Sequence, residues 1–80
     1  MTQFEKSAIN LVKAIIRNKS ECTVDVKAVS GNSLWLGFFD GEEVSYVFGD
    51  MSTPKQIREF EAASLNRIEE LKHDKDGRKD

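Results

Sequence analysis

One cysteine, one histidine and one proline stand among the 80 residues. A lone cysteine excludes an internal disulfide and fits a reducing, cytoplasmic setting. The lone histidine, His73, lies in a polar C-terminal stretch and reads as a charge at a helix end rather than as a catalytic base. No Cys/His spacing suits a metal, and no glycine-rich loop suits a phosphate. Long apolar runs are also missing, so nothing approaches the roughly 20 residues that cross a bilayer. The opening MTQFEKSAIN has no basic region followed by a continuous apolar core, so no signal peptide is expected. Nor is there an excess of one charge: 12 Lys and Arg face 14 Asp and Glu, a net charge of −2. A protein that binds nucleic acid by neutralising phosphates usually shows a basic excess, so nucleic acid is not the expected partner. Catalytic residues, cofactors and metals are all expected to be absent, and the chain reads as non-enzymatic.

Aromatic residues are few, and they are concentrated. Leu34–Phe48, LWLGFFDGEEVSYVF, holds the only Trp, the only Tyr and three of the five Phe. The rest of the chain supplies amphipathic segments to cover it. Thr2-x-x-Glu5 is a capping box. Behind it Phe4, Ala8, Leu11, Val12 and Ile15 recur at helical spacing, widened by Ile9 and Ile16, which predicts a helix over Gln3–Arg17. Asn18, which tolerates a left-handed conformation, is the expected stop. Glu21–Ser30 alternates with period two, as a half-buried strand does. Cys22, on its apolar side, reads as a small buried hydrophobe. Ser30-Gly31-Asn32-Ser33 is a turn, and Leu34–Phe39 and Glu43–Phe48 are two further strands. Thr53-Pro54-x-Gln56 starts a second helix to about Lys72, with Ile57, Phe60, Ser64, Ile68 and Leu71 on its stripe. Residues 1–72 form one domain, and the charged end 73–80 is expected to be disordered.

Register follows from parity, because a slip of one residue exchanges the faces of a strand. A two-residue turn at Asp40-Gly41 sets Leu34, Leu36 and Phe38 opposite in face to Val44, Tyr46 and Phe48. A three-residue loop, Phe39-Asp40-Gly41 with Gly41 left-handed, gathers all six on one face and is preferred for that reason. A similar loop at Ser30-Gly31-Asn32, with Asn32 left-handed, aligns the even residues of the first two strands. The expected fold is therefore α+β, a two-layer α-β-β-β-α domain: a three-stranded antiparallel meander with both helices on its even face.

That layout leaves the odd face open. Trp35 stands there with Val29, Val47 and Lys27, and with Phe39 and the acidic turn Asp40, Glu42 and Glu43 at the rim. A large aromatic beside aliphatic residues on a solvated sheet face is the composition of a binding hot spot. The alternative for Trp35 is stacking within the sheet. The three carboxylates match no calcium loop and read as solvated turn charges. The third strand, VSYVF, lies at an edge with no charge to interrupt it; such an edge pairs with a second copy, accepts a strand from a partner, or is short, twisted and shielded by the Gly49–Met51 connector.

The order helix, three strands, helix resembles the double-stranded-RNA-binding domain. That family clamps phosphates with a basic cluster, lysine-lysine-x-alanine-lysine, at the start of its second helix. The matching place is Thr53-Pro54-Lys55-Gln56-Ile57-Arg58, where only Lys55 and Arg58 are basic and Glu59 and Glu61 follow. The order is also similar to that of small phage-encoded anti-CRISPR proteins. The local likeness lies in Leu11–Val26, LVKAIIRNKSECTVDV, followed by an acidic turn. This resemblance implies a phage or mobile-element accessory protein, an inhibitor that occupies a host protein. The expected function is thus protein binding through the open sheet face. A nucleic-acid module using Lys55 and Arg58 with the first helix is one alternative, and a homodimer through the third strand is the other.

Overall fold

Two capping boxes set where the helices begin in the computed structural model, which describes residues 1–29, 33–49 and 51–77 and, among these, not the side chains of Val29, Ser33 and 74–77. Thr2 Oγ1 accepts from Glu5 N–H at 3.2 Å, and the Glu5 carboxylate accepts from Thr2 N–H at 3.3 Å. Helix α1 then runs Gln3–Asn18. Thr53 and Gln56 make the same exchange at 2.8 and 3.1 Å, and helix α2 runs Pro54–Gly77. Each box stabilises its helix by about 1 kcal/mol, since it satisfies backbone donors that have no partner inside the helix.

The end of α1 differs by one residue from the expectation. Lys19, at φ 50°, takes the left-handed position, and Ser20 N–H closes the helix on Ile15 O at 3.0 Å. Asn18 stays helical and donates from Nδ2 to Ala14 O at 2.8 Å. At the other end, α2 continues past Lys72, and the exposed His73 lies 3.3 Å from Glu69 one turn earlier.

Strands β1 (Thr23–Val29), β2 (Ser33–Phe39) and β3 (Val44–Phe48) form an antiparallel sheet in the order β1-β2-β3. Val24 pairs with Phe38, Val26 with Leu36 and Ala28 with Leu34, so the even residues of β1 and β2 do share a face. The expected left-handed Asn32 lies outside the described residues.

The second hairpin overturns the expected register. Phe39 pairs with Val44, Gly37 with Tyr46 and Trp35 with Phe48. The preferred three-residue loop is absent, and the parity is that of the two-residue turn, shifted one pair along. Ser45 and Val47 therefore join the even face, while Val44, Tyr46 and Phe48 share the face of Trp35. Gly41 has the expected positive φ, +100°.

Both helices lie on the even face. Phe4 and Leu11 of α1 share one buried cluster with Ile57, Phe60 and Ile68 of α2 and with Leu36, Phe38 and Cys22. Small residues are buried with them: Ser7, which accepts from Gln3 Nε2 at 2.9 Å, and Ser64. Asn10 of α1 reaches Glu61 of α2 at 3.3 Å, which ties the outer flanks of the two helices. The layer is narrower than the apolar stripes suggest. Ile9, Val12 and Ile16 on α1 and Val26 on β1 remain exposed, so they do not extend the core as expected.

Gly49 sits tightly at the junction of α1 and the sheet. Its N–H donates to Leu34 O at 2.9 Å, and a Cβ there would fall 2.7 Å from a Phe4 ring atom. Gly49→Ala is therefore expected to overpack the junction of α1 and β3 and to cost about 1–3 kcal/mol, read by urea denaturation.

Candidate functional site

The open face is built by alternation. β1 contributes Thr23, Asp25 and Lys27, β2 contributes Trp35, Gly37 and Phe39, and β3 contributes Val44, Tyr46 and Phe48. Among the described residues no helix covers these side chains. Tyr46 is 54% exposed, Val44 57%, and Phe39 and Phe48 39% each, whereas Trp35 is half-buried.

Trp35 is half-buried because its neighbours hold it flat. The Tyr46 ring lies 5.9 Å away, centroid to centroid and tilted 30°, and Phe48 meets Tyr46 edge-on at 5.4 Å. Lys27, directly across the ladder, sets its ammonium 5.2 Å over the indole. The aromatic pairs contribute roughly 0.5–1.5 kcal/mol each and the cation about 0.5–1 kcal/mol. Beneath the indole lies Gly37, where a Cβ would come within 2.8 Å of Trp35 Cζ3. The glycine is the floor on which the ring rests.

Not every expected residue belongs to this surface. Trp35, Lys27 and Phe39 stand on it. Val47 does not: the register turns it to the helix face, where it is half-buried against the core. The side chain of Val29 lies outside the described residues. Tyr46, Phe48 and Val44, which parity reasoning had assigned to the core, take their places. One signal for them was present in the sequence: Tyr46 stands five residues beyond an Asp-Gly turn, with Trp35 five residues before it, which a tight hairpin brings to the same region.

The acidic turn divides into two roles. Asp40 Oδ1 accepts from the backbone N–H groups of Glu42 and Glu43, both at 2.8 Å, and Oδ2 accepts from Arg67 Nε at 2.9 Å. Arg67 Nη1 donates onward to Glu70 at 3.2 Å. Asp40 is thus an internal brace between the hairpin and α2, with its side chain only 13% exposed. Its carboxyl is held at about 2, below the ordinary 3.8, first by the Glu43 N–H, then by the Glu42 N–H and then by the Arg67 guanidinium. Glu42 and Glu43 remain exposed at the rim.

Cys22 is buried, at 6% exposure. Among the described residues no group of three His, Cys, Asp or Glu could hold a metal ion, and no helix is long and apolar enough to cross a membrane. No family model, no curated protein and no solved structure matches this chain.

Two outcomes follow from the geometry. Gly37→Ala lifts the indole off its floor, so the near-ultraviolet circular dichroism of Trp35 should collapse and its emission should shift to the red, with the far-ultraviolet spectrum unchanged. Asp40 has a lowered pKa in the folded state, so its contribution to stability is present above about pH 4 and is lost as pH falls towards 2. Asp40→Asn should therefore be less stable than the parent at pH 7, and the two denaturation curves should converge near pH 2.

Proposed function

We propose that this protein is a non-enzymatic binding domain that occupies a partner protein through its open sheet face. Trp35, Tyr46, Phe48, Phe39 and Lys27 form the contact, and Glu42 and Glu43 stand at its rim. One observation carries this reading: four large apolar side chains on one face of the sheet are a third or more exposed. Contiguous apolar surface of this kind marks interaction sites, and rigid aromatics with an amphipathic tip are the usual anchors. Mutual stacking supports the same reading, since Trp35 and Tyr46 are already ordered and lose little freedom when a partner arrives.

The charge on this face favours protein over nucleic acid. Lys27 is offset by Asp25 on the same strand, and the rim is acidic, so phosphates find no net attraction. The same order of elements occurs in the anti-CRISPR inhibitors that the chain resembles. Inhibition of a host protein by occupying its surface is the version to test first.

The test is affinity capture from the native host with three baits: the parent, Trp35→Ala, and Ile16→Ala as a control on the far side of the molecule. A partner should be retained by the parent and the control. Trp35→Ala should bind it at least about 30-fold more weakly, the size of a hot-spot loss, with an unchanged far-ultraviolet spectrum. Equal capture by a folded Trp35→Ala protein overturns the proposal.

A further inference from the structure

The free edge of β3 is open over only part of its length. Asp40 N–H bonds Glu43 O at 3.2 Å, and Gly49 N–H bonds Leu34 O at 2.9 Å. Ladder bonds alternate along an antiparallel pair, so Ser45 and Val47 face β2 while Val44, Tyr46 and Phe48 turn their N–H and C=O groups outward. The chain itself consumes those of Phe48. Ser52 Oγ accepts from Phe48 N–H at 3.2 Å, and Phe48 O accepts from Ser52 N–H at 2.8 Å and Met51 N–H at 3.3 Å. Val44 and Tyr46 keep theirs: among the described residues nothing bonds them.

Under this window lies a cleft of about 110 Å³ between β3 and α2, lined by residues that include Ser45, Ala63, Ser64, Arg67 and Glu43. Its charge is uneven. Arg67 is engaged by Asp40 and Glu70. The Glu43 carboxylate has no hydrogen-bond or ion-pair partner among the described residues.

We infer that β3 accepts an extended segment of a partner protein as a fourth, antiparallel strand, with a lysine or arginine of that segment entering the cleft beside Glu43. This rests on the protein-binding reading above and names the kind of segment bound. An antiparallel strand bonded at Val44 and Tyr46 satisfies all four outward groups. The residue between the two bonded ones lies across from Ser45, and cross-strand neighbours share a face, so its side chain points into the cleft. The bonded residues on either side of it point to the other face, beside Tyr46 and Val44, where apolar side chains extend the aromatic surface. Main-chain bonds supply the affinity of such additions and alternate pockets supply the selectivity.

A second copy of this chain fits less well. The register that satisfies all four groups sets Ser45 against Ser45, which leaves the cleft empty and brings no cation to Glu43.

Two synthetic nine-residue peptides of alternating valine and threonine test this, one with a central lysine flanked by valines and one with a central glutamate. Binding is read by amide hydrogen exchange and by chemical-shift titration. The lysine peptide should protect the amides of Val44 and Tyr46 and should bind about tenfold more tightly than the glutamate peptide. Glu43→Gln should abolish that preference. Val44→Pro removes one outward donor at the first position of an edge strand, where proline is tolerated, and should abolish binding with an unchanged far-ultraviolet spectrum.

Four results overturn the inference: no binding at millimolar peptide, binding without protection of those two amides, a preference that survives Glu43→Gln, or protection that grows with protein concentration when no peptide is present. The last result assigns the edge to a second copy. Capture of the host partner separates the two proposals. A partner held by Val44→Pro but lost by Trp35→Ala keeps the face and removes the added strand, and the reverse pattern keeps the strand and removes the face.

Discussion

The carboxylate of Asp40 decides which side of β3 meets the helices. By taking the N–H groups of Glu42 and Glu43 on one oxygen, it replaces the backbone carbonyl that would otherwise close the turn. Its other oxygen is tied to Arg67, so the hairpin is fastened to α2 at a fixed height. Gly41 supplies the positive φ that this tight path needs. Once the turn is set, alternation does the rest: Val47 goes inward, and Tyr46 and Phe48 join Trp35. A salt bridge at a surface is ordinarily a minor contribution. Here the acid matters through geometry, because it selects one of two registers that differ in every side chain of a strand.

The core can tolerate that selection because it is small. Leu36 and Phe38 of β2, with Phe4 and Leu11 of α1 and Ile57, Phe60 and Ile68 of α2, already fill the space that two helices cover. On the helix side β3 needs only Val47. Tyr46 and Phe48 would have to compete there with Phe60 and Phe38, whereas on the open side they stack on one another and on Trp35. The buried serines Ser7 and Ser64 belong to the same economy of volume.

Most of the architecture was legible in the sequence. Both helix starts, the three strands, their order, the pairing of β1 with β2, the buried stripe of α2 and the placement of Trp35 on the uncovered face follow from periodicity, turn signals and capping. What failed was the assumption that apolar residues of one strand gather on the core side. Parity depends on the count of loop residues, and that count was decided by a side-chain hydrogen bond of Asp40 that hydropathy does not register. The error carried Val47 onto the candidate surface and kept Tyr46, Phe48 and Val44 off it. Ile9, Val12 and Ile16 were misplaced for a different reason: a helical stripe shows which residues are apolar, not how wide the neighbouring layer is. The role of Gly37 was out of reach as well, because a glycine two residues after a tryptophan becomes meaningful only when the indole is seen lying over it.

The bonds that Ser52 and Met51 make to Phe48 have a consequence for solubility. Fibril-forming zippers need an uninterrupted stretch of about six or seven residues with every backbone group free to propagate. VSYVF has the composition for this, but its last residue is already claimed by its own chain, and Glu42 and Glu43 guard its start. The opposite rim of the sheet carries Asp25 and Lys27, charges of the kind that discourage stacking. An adhesive strip kept this short can hold one guest without seeding an open-ended filament.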